Sequence, residues 1–540
     1  MFLICKHTKF LLLSLYLPNK NQMMRNFFIF LILVTTTIIS SCRSEFTFEP
    51  SIGNLGFSKD TVYLDTVFSN IGSSTYTLKV YNKSAKNIAI PKVRLAKGQA
   101  SKYRLMVDGL SGKEFENVEL LANDSLFIFV EMTSSIADAN PTDFLYTDQI
   151  QFGDYTNFQK VELVTLIQDA YFIFPSRSGS PANYTYEQIQ LGVDANNNPI
   201  TITGSNLSTS DPINGNELHW TNTKPYVIYG YAKIPENQTL TVDAGARVHF
   251  HANSGLIVSE NASLVVNGNH STTDALENEV IFEGDRLEPQ YCDVAGQWGT
   301  IWLLPGSKNN SINHLTVKNA TVGFLVSGND GTTTPTLDLK NTQIYNCTNV
   351  GILARTGNMI GKNVVINNCG QASLACTFGG KYDFTHCTFA NYWSTPNQTC
   401  LVVSDDKINN VPTPLETANF KNCIFYGSAN LSLALQKNGT TFNYQFTNCL
   451  IKFFDSSNQY SANTLYQFAT NPKFSNCIIG TNSTTNKPYF KNTANNEFII
   501  GEQSAAKGTA NTSYSTFNDL LNKPRTGATD IGAYNFIIFN

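Results

Sequence analysis

The second half of the 540-residue chain repeats one short motif, in which an Asn or a His precedes a Cys and an apolar residue follows closely. The motif occurs six times, with its cysteine at Cys347, Cys369, Cys387, Cys423, Cys449 and Cys477. Successive cysteines are 22, 18, 36, 26 and 28 residues apart, and the step of 36 could be two turns of 18, whereas the longer steps carry loops. Recurrence at this spacing indicates a solenoid, in which each turn of chain stacks on the one before.

A solenoid gives this motif a structural role. Equivalent residues of successive turns stack about 4.8 Å apart, so an Asn at a tight corner can bond its neighbours in an amide ladder. A Cys beside it fills a narrow core as a small apolar side chain. We therefore expect the same corner to recur six times. Disulfides between adjacent turns are a geometric alternative, and zinc is disfavoured because the six sites lack closely spaced Cys or His pairs.

The strand pattern ahead of the motif agrees with a solenoid. Residues 238–269 hold four short runs with apolar residues two apart, separated by Gly, Asn or Ala. Period two predicts strands with one buried face. Most of these runs lack hairpin turn chemistry between them, so they can close only by winding around a common axis. We predict an all-β chain in which residues 226–540 form a parallel β-helix with a C-terminal closing segment.

The region ahead of the β-helix has a different pattern. Residues 46–170 contain about seven alternating apolar and polar runs, which predict an N-terminal β-sandwich of the immunoglobulin-like type. Residues 171–225 are rich in Ser, Asn, Gly and Pro, and we interpret them as a linker with a hairpin around Asn196–Pro199.

The N-terminus predicts export. Arg25 precedes an apolar run at 27–39, and Ser40, Ser41 and Cys42 follow it. This pattern looks like a bacterial lipobox, and the resemblance implies lipidation at Cys42 and a membrane as a partner. Residues 1–42 are then a signal peptide. Met23 or Met24 opens a better signal than Met1, so residues 1–22 are interpreted as a start-site artefact. A membrane anchor or an ordinary cleaved signal is the alternative.

Composition excludes one class of partner. The net charge is −4, from 37 basic and 41 acidic residues, and only 14% of residues are charged. No basic run occurs, so we expect no nucleic-acid partner.

Four segments carry a family resemblance. Residues 298–326, WGTIWLLPGSKNNSINHLTVKNATVGFLV, look like the opening coils of pectin-lyase-like proteins. Residues 284–299 resemble a segment of Bacteroidota β-helix lipoproteins, and residues 504–536 resemble the closing segment of bacterial β-helix proteins. Residues 46–170 resemble the Ig-like domain that follows the lipid anchor in Bacteroidota lipoproteins. The resemblance implies a right-handed parallel β-helix and an outer-membrane location, but the fold carries lyases, hydrolases, adhesins and binding proteins alike.

Two groups of residues are candidates for catalysis. Lys381 and Asp383 are two apart on a predicted strand, close to His386, so one strand face could present both to an acidic glycan. A charged face in contact with solvent is the preferred interpretation. Asp405 and Asp406 are adjacent acids similar to the paired Asp of β-helix polygalacturonases. The other motifs of that family are missing, and a solvated loop tip is the preferred interpretation. A lyase would also need Ca²⁺, and otherwise we expect no cofactor.

A third group is a candidate for ligand binding. Acidic, basic and aromatic residues occur together at Asp285, Arg286, Tyr291, Trp298 and Trp302, in a combination that can hold sugars or Ca²⁺. Capping the end of the β-helix or docking the Ig-like domain is the alternative role for this loop. His249 and His251 have chelating spacing on a strand but no third ligand close by, so we predict no metal site.

The sequence thus predicts a lipid-anchored cell-envelope protein whose β-helix binds a glycan or another envelope polymer without cleaving it. A polysaccharide lyase or glycoside hydrolase is one alternative, and an adhesive or structural surface protein is another. A binding module should show an aromatic groove, whereas an enzyme should show paired acids or a base and an acid in a groove.

Overall fold

A computed structural model describes residues 46–180, 183–395, 397–408, 410–482 and 484–539. These residues form strands, turns and five short 3-10 helices, without any α-helix. The described part has no helix that is both long and apolar enough to cross a membrane. The predicted signal peptide and Cys42 lie outside the described residues.

The chain divides into two compact units. The first contains residues 46–63, Ser74–Met132 and Thr147–Val164, and the second contains Leu64–Ser73, Thr133–Tyr146 and residues from Thr165 onward. Eleven strands occupy the N-terminal part of the chain: β1 (Glu49–Pro50), β2 (Leu55–Phe57), β3 (Thr61–Phe68), β4 (Tyr76–Asn82), β5 (Ile88–Leu95), β6 (Tyr103–Val107), β7 (Leu110–Gly112), β8 (Glu114–Leu120), β9 (Ser125–Met132), β10 (Leu145–Gly153) and β11 (Phe158–Gln168).

These strands form two sheets. One has the order β1-β5-β10-β11-β3 with β8 beside β5, and the other has the order β2-β4-β9-β6-β7. Burial alternates along β10 and β11, so each presents one face to a core. Phe57 of one sheet contacts Phe152 of the other, with ring centroids 4.9 Å apart. The two sheets therefore pack face to face.

The second unit is built from many short strands. Their bounds are β12 (Tyr171–Ile173), β13 (Arg177–Ser180), β14 (Asn183–Tyr186), β15 (Gln188–Val193), β16 (Pro199–Asn206), β17 (His219–Trp220), β18 (Tyr226–Ile228), β19 (Tyr231–Ile234), β20 (Thr239–Asp243), β21 (Arg247–Phe250), β22 (Gly255–Val258), β23 (Ser263–Asn267), β24 (Val280–Gly284), β25 (Ile301–Leu303), β26 (Asn310–Asn313), β27 (Leu315–Lys318), β28 (Val322–Val326), β29 (Leu337–Lys340) and β30 (Gln343–Cys347).

The series continues to the end of the chain with β31 (Val350–Arg355), β32 (Asn358–Lys362), β33 (Val365–Cys369), β34 (Ala372–Thr377), β35 (Gly380–Thr385), β36 (Thr388–Asn391), β37 (Thr399–Ser404), β38 (Lys407–Ile408), β39 (Val411–Pro412), β40 (Leu415–Lys421), β41 (Ile424–Gly427), β42 (Leu433–Gln436), β43 (Phe442–Thr447), β44 (Leu450–Lys452), β45 (Phe474–Ser475), β46 (Ile478–Gly480), β47 (Phe490–Asn492) and β48 (Glu497–Ile500). The 3-10 helices span Gly98–Ala100, Ile136–Asp138, Pro289–Tyr291, Thr464–Tyr466 and Thr512–Tyr514.

Three long sheets, parallel except for the β15–β16 hairpin, account for most of the second unit. Sheet A has the order β15-β16-β19-β22-β25-β28-β31-β34-β37-β42, sheet B runs β17-β20-β23-β26-β29-β32-β35-β40-β43-β45, and sheet C runs β12-β18-β21-β24-β27-β30-β33-β36-β41-β44-β46. Each full turn of chain places one strand in sheet A, then in sheet B, then in sheet C. The predicted all-β class with long parallel sheets is therefore confirmed, and the arrangement is consistent with a β-solenoid.

The interior is filled by ladders of like side chains. Phe384, Phe420, Phe446 and Phe474 occupy one register of sheet B. Their rings stack with centroid separations of 5.8, 5.0 and 5.0 Å. Stacking follows directly from parallel register, because each residue lies above its counterpart one turn earlier. These aromatic side chains dominate the core of the later turns.

The Asn-Cys motif occupies two corners, so the expectation of a single corner is wrong. Asn346 and Asn368 precede their cysteines where sheet C turns into sheet A. His386, Asn422 and the two later copies lie where sheet B turns into sheet C. Both corners need a positive φ, which Asn adopts more readily than other non-glycine residues. The same motif therefore occurs at two different corners, because both corners require a residue with a positive φ.

The amide ladder itself is confirmed. Asn368 donates to Asn346 at 2.8 Å, and Asn346 donates to Asn319 at 3.2 Å. All nine described cysteines have free thiols, and seven of them are fully buried. The described part of the chain has no cluster of His, Cys, Asp or Glu suited to a metal ion. Burial of five of the six motif cysteines supports packing as their role.

The step of 36 residues between Cys387 and Cys423 is one turn, so its interpretation as two turns of 18 is wrong. Strand β36 pairs directly with β41, and β35 pairs directly with β40. The extra length lies in two loops, at 392–398 and 405–414.

The stretch 171–225 supplies strands as well as turns. Strand β12 pairs in parallel with β18, β16 with β19 and β17 with β20. Strands β15 and β16 form a hairpin whose turn contains Asn196 to Asn198. Each parallel sheet thus takes its first parallel strand from this stretch.

Candidate functional site

The outer faces of the three parallel sheets differ in what covers them. On sheet C, Val365 and Ala390 pack against Phe498 and Leu520 of the C-terminal segment, so that face is buried. On sheet B, the side chains form ion pairs such as Lys381 with Glu416 at 3.1 Å. Sheet A instead carries an apolar stripe on its outer face, which makes that face the candidate for contact with a ligand.

The apolar stripe of sheet A follows one register across six strands. Its successive members are Trp302, Leu325, Leu353, Ala375, Val402 and Ala434. Neighbouring members lie about 4.8 Å apart, the spacing between paired strands. All except Ala375 keep part of their surface exposed. The stripe ends in a groove formed by the loops that lead into the last strands of sheet A.

The aromatic groove, as we call it, has a volume of about 810 Å³. Three aromatic side chains line it, Tyr392, Trp393 and Tyr460, together with the stripe residues Val402 and Ala434. Amide and hydroxyl side chains complete the wall: Gln371, Ser394, Thr395, Asn397, Gln398, Thr399, Ser428 and Asn430. Its combination of flat apolar rings with neutral hydrogen-bonding groups suits a ligand with both apolar faces and hydroxyls.

The groove exists because one tight corner is replaced by a loop. Where the preceding turns enter sheet A through Asn-Cys corners, this turn ends at Asn391 and inserts residues 392–398. The buried amide of Asn391 donates to the carbonyls of Cys369 (2.9 Å) and Thr399 (3.0 Å) and accepts from the backbone N–H of Cys369 at 3.0 Å. One side chain thus satisfies backbone groups beside the missing corner, and the loop can project outward.

Hydrogen bonds fix the loop that bears Trp393. The hydroxyl of Ser428 donates to the Trp393 carbonyl at 3.0 Å, and the Gln398 amide donates to Ser428 Oγ at 2.6 Å. Gln398 is 5% exposed, and its Oε1 has no hydrogen-bond partner among the described residues. This oxygen is itself buried, so Gln398 serves to hold the loop rather than to present an acceptor on the groove surface.

The groove is electrically neutral at pH 7. Among the described residues that line it, none carries a carboxylate, an imidazole or an ammonium group. Burial raises the pKa of the Tyr392 phenol, so this hydroxyl stays protonated. Lys452 is buried behind the wall, where its ammonium donates to the carbonyls of Gly427 (2.8 Å) and Ser428 (3.2 Å). Burial lowers the pKa of Lys452, and two of its three N–H donors are engaged by backbone carbonyls.

A second hollow of about 480 Å³ lies near the first turns of sheet A. Its lining includes Tyr231 and Trp298, but these side chains are only 9% and 1% exposed. Their rings therefore present little surface to a ligand, and the aromatic groove is the better candidate.

The structure separates the predicted catalytic residues. Asp383 accepts from Lys421 at 2.6 Å, and Lys381 pairs with Glu416, so both are engaged on the outer face of sheet B. His386 is fully buried at the corner between sheets B and C, where it bonds Ser515 Oγ at 2.8 Å. Burial and the charge of nearby Arg525 hold the pKa of His386 well below its usual range.

The adjacent acids have structural contacts. Asp405 is fully buried rather than solvated, and its carboxylate accepts from the backbone N–H groups of Asn438 (2.5 Å) and Gly439 (2.7 Å). Asp406 accepts from the hydroxyl of Ser404 at 2.5 Å. The prediction of a solvated loop tip is therefore wrong for Asp405, because its carboxylate accepts hydrogen bonds from the turn after β42.

The predicted ligand-binding residues are also dispersed. Asp285 bonds His251 at 2.7 Å, which raises the pKa of that imidazole. The guanidinium of Arg286 pairs with Glu288 and lies 3.8 Å from the Tyr291 ring centroid.

The two tryptophans of that group differ. Trp298 stacks on Phe250 in the core, with ring centroids 4.2 Å apart, so its indole offers no outer surface. Trp302 lies on the apolar stripe, and its N–H donates to Ser327 at 2.8 Å. His249 is buried and close to Glu283, and burial lowers its pKa.

The sequence analysis missed Gln398 and Tyr460 as residues that line the groove, and Asn391 as the buried residue that holds its loop. One signal could have found the groove: the long step from Cys387 to Cys423 marks an interrupted turn, and Tyr392 and Trp393 fall within it.

No protein-family model matches the chain, and no curated protein matches it.

Proposed function

We propose that this chain is a lipid-anchored cell-envelope protein whose right-handed parallel β-helix, of the pectin-lyase-like type, binds a glycan without cleaving it. The N-terminal β-sandwich is an Ig-like spacer in this proposal. The lipid anchor at Cys42 would hold the protein at the outer membrane, where extracellular or periplasmic polysaccharides are available.

The aromatic groove is the observation that carries the proposal. Sugar rings have an apolar face, which stacks on aromatic side chains, and hydroxyl edges, which need both donors and acceptors. Trp393 and Tyr460 offer rings, and the exposed amides of Asn397 and Asn430 offer both kinds of hydrogen-bonding group. The neutral amides need no change of protonation to bind hydroxyls.

The same geometry disfavours the catalytic alternative. Glycosidases need two carboxylates at a defined separation, and lyases need a base near the sugar. The described wall of the groove offers neither. Elsewhere, Lys381 and Asp383 are engaged in ion pairs, and His386 and Asp405 are buried in hydrogen-bond networks. No specific contact favours an adhesive role over glycan binding.

A glycan panel tests the proposal. The soluble chain from Ser44 onward would be incubated with pectate, alginate, chondroitin and neutral plant and microbial glycans, with and without Ca²⁺. Retention on immobilised glycan reports binding, and ultraviolet absorbance and new reducing ends report cleavage. Retention without cleavage is the expected result. New absorbance or reducing ends would support a lyase or hydrolase, and no signal in any channel would refute glycan binding.

A further inference from the structure

We propose that one end of the N-terminal β-sandwich docks on the lipid bilayer, with Phe46, Ile52 and Leu121 inserted at the headgroup boundary. We call this surface the tether end. The inference rests on the proposed lipid anchor at Cys42, and it adds an orientation of the sandwich on the membrane.

The chain ahead of the sandwich is short. Three residues separate Cys42 from Phe46, so the two Cα atoms can be at most about 14 Å apart. Strand β1 begins at Glu49 and pairs in parallel with β5, with Glu49 opposite Ile88, the first residue of β5. A lipid at Cys42 therefore keeps the end of the sandwich at which β5 begins close to the bilayer.

Hydrogen bonds place Phe46 and Leu121 together at this end. The side-chain amide of Asn87 donates to the carbonyl of Thr47 at 3.5 Å and accepts from the N–H of Ala122 at 3.0 Å. Asn87 itself lies in the turn between β4 and β5. Phe46 and Leu121, the neighbours of Thr47 and Ala122 in sequence, therefore lie beside that turn.

Ile52 lies at the same end, in the connection from β1 to β2. The N–H of Ser51 donates to the carbonyl of Ala89 at 2.8 Å, and Leu55 pairs with Asn82, the last residue of β4. Because Ala89 and Asn82 flank the turn between β4 and β5, Ile52 also lies beside this turn.

The three apolar side chains are all exposed, Phe46 by 60%, Ile52 by 84% and Leu121 by 37%. An exposed apolar side chain gains by leaving water at the boundary between headgroups and acyl chains. Three such contacts are weak for a free protein, but the anchor makes docking an intramolecular step with a high effective concentration. The apolar side chains therefore need only orient a domain that the lipid already holds at the surface.

Charges at the tether end are balanced. Lys86 pairs with Glu49 at 2.9 Å, and Lys83 and Asp124, both exposed, add one charge of each sign. A balanced set of charges gives little net attraction to anionic lipids. Apolar contact therefore carries the docking, and a neutral bilayer should serve as well as an anionic one.

A fluorescent probe on the lipidated protein tests this orientation. The full chain would be purified with its lipid and reconstituted in phosphatidylcholine vesicles that contain a doxyl-labelled lipid as quencher. A nitrobenzoxadiazole probe would be attached at Ile52→Cys in a Cys292→Ser background, because Cys292 is an exposed thiol. Cys292→Ser alone gives the background labelling. We expect the doxyl lipid to quench at least about 30% of the probe fluorescence.

Gln99→Cys is the matched control for the probe. Gln99 is exposed on the 3-10 helix Gly98–Ala100, beyond the far end of β5. The eight residues of β5 separate the two ends by about 23 Å. The doxyl lipid should therefore quench less than about 5% of the fluorescence at this position.

Substitutions test the apolar contact itself. Phe46→Asp with Ile52→Asp should reduce the quenching of a probe at Leu121→Cys at least threefold, while the protein still floats with the vesicles through its lipid. Gln99→Asp with Ala100→Asp adds the same charge at the opposite end and should leave that quenching within about a fifth of its original value. All four substituted side chains are exposed, and circular dichroism verifies that each variant keeps its fold.

Four outcomes would contradict the docking. Absence of quenching at Ile52→Cys in protein that floats with the vesicles would overturn it and leave the lipid anchor standing. Equal quenching at Ile52→Cys and Gln99→Cys would also overturn it, because neither end would be preferred. Loss of quenching in about 1 M NaCl would show that charge rather than apolar contact holds the domain. A mature N-terminus that carries no lipid, by mass spectrometry, would overturn both the anchor and the docking.

Discussion

Asn391 should be the residue whose truncation most damages the groove without touching a ligand. It is fully buried and makes four hydrogen bonds to the backbone, with Cys369 N–H, Cys369 C=O, Thr399 C=O and Trp393 N–H. Asn391→Ala leaves the two groups of Cys369 buried without partners. Each such group costs about 1–3 kcal/mol, so the local loss of stability comes to about 2–6 kcal/mol. The groups of Thr399 and Trp393 are partly exposed and regain water, so they add less.

The measurement is native-state hydrogen–deuterium exchange, which reports local opening rather than global unfolding. A solenoid need not unfold in one step, so a single global unfolding free energy would mix several turns. A loss of 2 kcal/mol corresponds to exchange that is about 30-fold faster at the amides of Cys369 and Trp393. Glycan affinity should fall as well, because the loop that presents Trp393 loses its attachment.

Asn397→Ala is the matched control for this prediction. Asn397 is an exposed asparagine of the same loop, and surface substitutions usually change stability by less than about 0.5 kcal/mol. Its exchange rates should match those of the wild type. If Asn391→Ala exchanged within threefold of the wild type, the account of Asn391 as the replacement for a missing corner would be wrong.

Three further predictions follow from the contacts. Trp393→Ala should weaken glycan binding at least tenfold, the equivalent of about 1.4 kcal/mol. Trp302→Ala, on the apolar stripe, should change glycan affinity less than twofold. The reverse result in retention assays would place the binding site at Trp302. Burial holds the pKa of His314 at about 4 and that of His386 below its usual value, so the unfolded state binds more protons between pH 6.5 and 4. The contribution of these two histidines to stability should therefore fall as the pH drops from 6.5 to 4. His251, whose pKa Asp285 raises, acts in the opposite direction, because its contribution is lost as the pH rises through its raised pKa. Acid unfolding of His386→Asn, monitored by circular dichroism, should show a smaller loss of stability over this window than the wild type. Maleimide should modify Cys292 first in the native chain from Ser44, and all nine thiols only in denaturant. Because burial and Asp293 raise the pKa of Cys292, the reaction should accelerate as the pH rises toward 9. Rapid modification of several thiols in the native chain would contradict the packing of the cysteine ladders.

The sequence predicted the repeating elements well because parallel stacking demands like residues at like positions. Period-two strands and the Asn-Cys motif both report such positions, and both led to the parallel sheets. The sequence did not show, however, that the motif occupies two different corners. Asn346 and Asn422 satisfy the same backbone demand at different corners, so one motif cannot say which corner it occupies. Only the pairing of β30 with β33 and of β36 with β41 separates them.

The candidate site was less predictable for a related reason. Titratable residues draw attention in a sequence, and in this chain most of them are engaged in structural contacts: Asp405 holds a turn, Lys381 is paired, and His386 is buried. Whether a charge is engaged depends on partners from other turns, such as Glu416 and Ser515, which no local pattern reveals. The groove residues are neutral and therefore carried no chemical signal of their own.

An interruption of the repeat is a better guide to function in such a chain than its charged residues are. In a regular turn, every backbone group is paired with the turns above and below, and side chains point either into the core or along a flat face. A concave site needs a loop that leaves the stack, and the loop needs a buried side chain to take over the lost pairing. The turn from Cys387 to Cys423 has both, in residues 392–398 and Asn391. The longest step in the repeat therefore marks a turn with two loops, one after Asn391 and one after Ser404, and the first of them forms part of the aromatic groove.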